Sequence, residues 1–246
     1  MSSIEVSIDQ GVASVVIDNP GKRNAIDATL ASALIETCRA LAADTTVGAV
    51  VLSGANGYFC SGGDRAELRA ASTDPLADEN MKRMSLLYDS FFQFGSMEIP
   101  TVAAIRGGAV GAGLNLALAA DSRVIAAEAR LEPGFVRIGY HPGGGHMHLL
   151  HRAAGSLAAA SMGMMGAGVD GTRAAQLGLA WVACLDHEVE SAAKELVAPI
   201  AADPDLARYI KRSYRLETQG GTADWASALQ IERAPQMWSF ARNARR

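Results

Sequence analysis

The sequence predicts an α/β protein with a helical C-terminal region. Three observations predict it. Short, wholly apolar runs of strand length alternate with segments whose apolar residues recur at helical spacing. Glycine-rich turns separate several of these runs from the helices that follow. From about Glu188 onward only helical spacing remains. Strand and helix units followed by helices alone make a covered sheet with a helical appendage, divided into a core of residues 1–187 and a C-terminal region of residues 188–246.

Each element has its own signal. Ile4, Val6 and Ile8 alternate on one face of a strand. After the turn at Asp9-Gln10-Gly11, Val12 to Ile17 gives a second strand, so the chain opens as a hairpin. Asn19-Pro20-Gly21 closes it. Asp27 or Thr29 caps a helix that runs to Ala43, with Leu30, Leu34, Cys38 and Leu41 at helical spacing. Ala49 to Leu52 is wholly apolar, as in a covered parallel strand. The polar segment Thr73 to Asn80 leads into a helix buried through Met84, Leu87, Phe91 and Phe94. Pro100 starts a strand from Thr101 to Ile105. The helix from Ala112 to Ala120 is small and apolar all round and belongs in the core. Val124 to Ala126 is a further strand, and Gly143-Gly144-Gly145 opens the next helices. The last helices span Glu188 to Ala201, Pro204 to Glu217 and Thr222 to Phe240.

Composition narrows the function classes. Apolar residues make up 49% and charged residues 20%, the balance of a soluble globular protein. A formal net charge of −4 gives no reason to expect nucleic acid or an anionic membrane as partner. Cys38, Cys60 and Cys184 are odd in number and lie in apolar contexts, which reads as reduced thiols in a cytoplasmic protein. The opening MSSIEVSIDQ lacks the charge and apolar run of a signal peptide. Thr101 to Ala120 contains Arg106, Asn115 and several glycines, so it reads as buried structure rather than a membrane span.

The chemistry is carried by two glycine-rich turns, Tyr58-Phe59-Cys60-Ser61-Gly62-Gly63-Asp64 and Gly107-Gly108-Ala109-Val110-Gly111-Ala112-Gly113. Each follows an apolar run and precedes a helix. Small residues there let backbone approach a ligand, and N–H groups at a helix start favour negative charge. Two such donors aimed at one point hold an oxyanion.

These turns and their neighbours resemble the crotonase, or enoyl-CoA hydratase/isomerase, superfamily. Asn19-Pro20 with Asn24-Ala25 is similar to the family's P-x-x-x-N-A turn, and Phe59 to Asp64 to its F-C-A-G-A-D turn. Pro100 to Asp121 resembles its P-x-x-A-x-x-G-x-x-x-G-x-G segment, Gly139 to Gly145 its G-x-x-P-x-x-G turn, and Ala174 to Leu179 its A-x-x-x-G-L segment. The resemblance covers nearly the whole chain. It implies a spiral of β-β-α units with a C-terminal helical part that packs homotrimers or dimers of trimers. It also implies an acyl-CoA thioester substrate and no resident cofactor, since coenzyme A enters with the substrate. The N–H groups of Gly63 and Ala112 would be the oxyanion donors. Lys22 and Arg23 would meet CoA phosphates, Ser61 and Gly63 the adenine end, and Leu68 the pantetheine tunnel. Asp64 and Asp121 read as a cap and a turn residue.

The chain departs from the family where hydratases carry their two glutamates, since Asn115 and Phe135 stand there. Neither transfers a proton as a carboxylate does. Asn115 can still orient a water or a substrate carbonyl. The remaining acid–base candidates are His141, His146, Glu132 and Tyr140, because Gly143 fills a further position where some relatives are acidic. A metal reading of His146, His148 and His151 is disfavoured, because 146 and 148 cannot share a helix face. The family's closing D-x-x-E-G-x-x-A-F helix has no counterpart, which implies a reduced acyl-pocket cover; Trp225, Trp238 and Phe240 read as packing residues. The sequence thus points to an acyl-CoA enzyme that stabilises a thioester enolate. The alternative is a non-catalytic acyl-CoA-binding relative. A dinucleotide-binding reading fails for want of a G-x-G-x-x-G after the first strand.

Overall fold

A computed structural model describes residues 1–218 and 225–243. The hairpin of β1 (Ser3–Asp9) and β2 (Val12–Asp18) leads into α1 (Ala28–Ala43) and β3 (Ala49–Gly54). Next come α2 (Arg65–Thr73), α3 (Asp78–Gly95), β4 (Thr101–Ile105), β5 (Gly108–Val110), α4 (Ala112–Ala119), β6 (Ser122–Ala126) and β7 (Arg130–Glu132). After α5 (His146–Ala158), β8 (Val169–Asp170), α6 (Gly171–Gln176) and β9 (Val182–Cys184), the chain ends in α7 (Val189–Ala201), α8 (Pro204–Thr218) and α9 (Trp225–Asn243). The expected start of the last helix at Thr222 lies outside the described residues, as do the side chains of Trp225 and Phe240.

The main sheet has the order β1-β2-β3-β4-β6-β9 and is parallel from β2 onward. Its apolar strands β3 and β4 are buried throughout, as expected of strands covered on both faces. β1 forms the expected strand and lies at the sheet edge, where Ile4 is half-buried while Val6 and Ile8 are exposed. A second sheet, β5-β7-β8, was not evident in the sequence. It sets β5 beside β7 in parallel, pairing Val110 with Glu132.

The helices cover the sheet as their spacing predicts. Leu30, Leu34, Cys38 and Leu41 are the buried stripe of α1, and Leu87, Phe91 and Phe94 that of α3. Every residue of α4 is buried. α7 buries Val189, Ala193, Val197 and Ala201 against β2, β3, β4 and β6. Asp121, just beyond α4, accepts from the Thr101 backbone N–H and from the Lys211 ammonium, which ties α8 to the core. Among the described residues no helix is long and apolar enough to cross a membrane.

Candidate active site

The two glycine turns meet because β5 and the turn at Asn24-Ala25-Ile26 clamp the first of them from opposite sides. On one side the Ile26 N–H donates to Gly62 O at 2.7 Å and the Asp64 N–H donates to Ile26 O at 2.9 Å. On the other the Cys60 N–H donates to Gly108 O at 3.2 Å and the Val110 N–H to Cys60 O at 3.0 Å. Backbone groups alternate in extended chain. With Gly62 O and Asp64 N turned toward Ile26, the Gly63 N–H turns the other way, and it has no acceptor among the described residues.

Ala112 is the first residue of α4, so its N–H has no partner within the helix. Among the described residues it has none elsewhere. Gly111 reaches this corner at φ 53° and Gly62 reaches its own at φ 104°, conformations that favour glycine. A Cβ on Gly62 would lie 3.7 Å from the Ala112 nitrogen, which shows how near the turns come. The positive end of α4 adds to the field there. Both Gly63 and Ala112 line a cavity of about 320 Å³.

Apolar side chains form most of its walls, among them Leu68, Met84, Leu87, Phe135 and Ile138. Asn115, three residues along α4 from Ala112, also lines it and is buried, with Nδ2 donating to Gly143 O at 2.9 Å and Oδ1 2.7 Å from His146 Nδ1. His146 is equally buried, but it is not in the cavity lining. Its ring stands edge-on to Phe135, 4.9 Å between centroids. Burial pushes its imidazole down to about 4, and among the described residues Nε2 has no hydrogen-bond partner.

His141 lines the cavity from its exposed rim, with Nδ1 2.7 Å from Pro142 O. A carbonyl only accepts, so Nδ1 carries the proton, and Nε2 has no partner among the described residues. Glu132 also lines the cavity and ends β7, but its carboxylate accepts from Arg130 at 2.9 Å and sits 3.6 Å from Arg137. Tyr140 shares a hydrogen bond with Ser72 at 2.7 Å. Among the described residues no group of three His, Cys, Asp or Glu side chains could hold a metal.

A second opening of about 650 Å³ shares Ser61, Gly63 and Arg65 with the first, and Lys22, Arg23 and Arg69 give it a basic lining. Lys22 pairs with Asp64 at 2.7 Å, and Asp64 caps α2 through the N–H groups of Ala66 and Glu67. Burial alone would raise the Asp64 carboxyl, yet Lys22 and these N–H groups hold it below the usual range. Gly63, Ala112, Asn115, His141 and Leu68 thus converge on one cavity, and Lys22, Arg23, Ser61 and Gly63 on the adjoining opening. Sequence reasoning did not find Met84, Tyr88, Arg65 and Ile138 in the walls. Their only signal was apolar or amphipathic helix spacing, which looks the same for a core face and a pocket face.

The fold and the cavity define the class. A profile of the enoyl-CoA hydratase/isomerase family matches residues 7–236. The Mycobacterium tuberculosis protein named "Probable enoyl-CoA hydratase EchA14" is 35% identical over 234 residues, covering 94% of this chain and 90% of its own. The Escherichia coli 1,2-epoxyphenylacetyl-CoA isomerase is 26% identical, covering 95% and 88%. A Thermobifida fusca YX structure titled as a "putative enoyl-CoA hydratase" in complex with CoA superposes with a TM-score of 0.83 at 27% identity, covering 99% of this chain and 95% of that one. The chain belongs to the enoyl-CoA hydratase/isomerase family, within the crotonase superfamily, and is an enzyme of that hydratase/isomerase type.

Proposed function

We propose that this protein binds an acyl-CoA thioester and stabilises its enolate between the N–H groups of Gly63 and Ala112. The observation that carries the reading is the pair of N–H groups without acceptors, facing one apolar cavity at the positive end of a buried helix. Such donors act where charge develops, and losing one lowers turnover by about 10²–10³-fold. The acyl group occupies the 320 Å³ cavity beside Leu68. The CoA arm crosses Ser61 and Gly63 toward Lys22 and Arg23, whose cationic groups suit phosphates. Coenzyme A arrives with the substrate, and no resident cofactor takes part.

With Asn115 held by hydrogen bonds and Phe135 apolar, proton transfer falls to His141, whose Nε2 has no partner among the described residues. Hydration or double-bond isomerisation of an enoyl-CoA is the nearest reaction. Other enolate reactions use the same cradle. Exposed Leu157, Met165 and Trp181 give apolar surface for self-association as a homotrimer or dimer of trimers. A cytoplasmic location suits these substrates.

Titration with crotonyl-CoA, followed by assay of its turnover, tests this reading. Binding and turnover are expected in the wild type, and Ala112→Trp should abolish turnover by filling the cradle. Full activity in Ala112→Trp would overturn the oxyanion assignment. The rival is a non-catalytic acyl-CoA-binding protein, favoured by the wall of Phe135 and the engaged Asn115. Tight binding with no turnover of enoyl, dienoyl or malonyl thioesters would establish the rival. Turnover that disappears in His141→Ala with binding kept would eliminate it.

A further inference from the structure

The N-terminal end of α4 carries Ala112, and its two ends are held in different ways. The helix has eight residues, about 12 Å of length, and its backbone hydrogen bonds make it stiff along its axis. A shift at one end is therefore carried to the other. At the cradle end, Gly111 has no side chain to cap the first turn. Leu114, Leu116 and Leu118 are fully buried, but apolar contacts have no preferred direction and do not set the depth of a helix. Asn115 bonds Gly143 O and His146 partway along.

The other directional contacts gather at the far end, and they are cations from three elements. Arg152 of α5 donates to Leu118 O at 2.8 Å. Arg123 of β6, only 8% exposed, donates to Ala120 O at 2.8 Å and to Leu179 O. Lys211 of α8, only 3% exposed, pairs with Asp121, which also accepts from the Thr101 N–H at 2.8 Å. Positive charge belongs at this end, where the helix carbonyls point outward. The end also has no slack, since a Cβ on Gly95 of α3 would lie 3.1 Å from Ala119 O.

We propose that Arg152 and Lys211 are positioning residues for the Ala112 N–H, holding the far end of α4 so that its first turn stays at the depth the oxyanion requires. Lys211 thereby gives the C-terminal helical region a part in the chemistry. The inference rests on the enolate reading proposed above. Arg208 supplies the contrast. It also anchors α8, but it donates to Val47 O at 2.9 Å and Asp44 O at 2.8 Å, on the connection between α1 and β3 rather than on α4.

Proton NMR of butyryl-CoA in deuterated buffer reads α-proton exchange, and calorimetry reads affinity. The wild type should do both. Arg152→Met should slow exchange about tenfold, part of the roughly 100-fold cost of a 1 Å misplacement, with affinity kept within about twofold. Arg152→Lys, which keeps a cationic donor, should recover most of that loss. Lys211→Met should show the same split between exchange and affinity; if it does not fold, the Arg152 pair carries the test. Arg208→Met should lower the melting temperature and leave exchange at the wild-type rate. Wild-type exchange in a folded Arg152→Met would overturn the positioning role. So would an equal fall in Arg208→Met, which would reduce the effect to general stability. A wild type that binds butyryl-CoA without exchanging its α-proton would overturn the enolate reading and this inference with it.

Discussion

The two sides of the cavity are built from different material. The side with Gly63 and Ala112 is backbone, held by hydrogen bonds to Ile26 and Gly108 and by the start of α4. Another part of the wall is made of side chains, chiefly Asn115, Phe135 and, behind them, His146. Backbone donors change only if the fold changes. Side chains change one residue at a time, so that part of the wall can vary while the backbone corners stay.

The largest effect is expected at the backbone corners. A Cβ on Gly113 would meet Cys60 O at 2.3 Å and the Cys60 Cβ at 2.8 Å, with no flexible side chain to yield. Gly113→Ala should force the two turns apart, lower turnover by at least about 100-fold and reduce thermal stability; turnover assays and a melting curve check both. On the side-chain side, His141→Ala should lower turnover by about 10²-fold while acyl-CoA affinity, measured by titration, stays within about twofold.

The buried wall also predicts a pH signature. His146 is depressed from its ordinary 6.5 to about 4 in the folded protein. The unfolded chain therefore takes up a proton that the folded one refuses. Stability should be full above about pH 6.5 and fall as pH drops toward 4, and His146→Leu should flatten that part of the profile in denaturant titrations. The smallest effect belongs to the entrance. Lys22→Ala and Arg23→Ala should each weaken free CoA binding about threefold to tenfold, and added salt should shrink the difference.

Legibility in the sequence follows the same division. The main strands and helices were readable because their apolar periods are long, as in α1 and α3. The second sheet was not, since β5, β7 and β8 are two or three residues long and β5 sits inside a glycine-rich turn. The two glycine turns were readable because glycines at sharp corners leave a pattern. The pairing of Asn115 with His146 spans 31 positions and leaves none. Alternation marked β1 as a strand, but it did not show that Val6 and Ile8 would be exposed at a sheet edge.

α-Proton exchange reads enolate formation whatever reaction follows, and so reports on the proposed oxyanion donors Gly63 and Ala112. Butyryl-CoA in deuterated buffer, followed by proton NMR, reports exchange at the carbon next to the thioester. Ala112→Pro removes one donor at a helix position that accepts proline, and Gly111 before it has no Cβ to clash. The account predicts exchange by the wild type and a loss of about 10²–10³-fold in Ala112→Pro with butyryl-CoA binding retained. Exchange at the wild-type rate in a folded Ala112→Pro would contradict it.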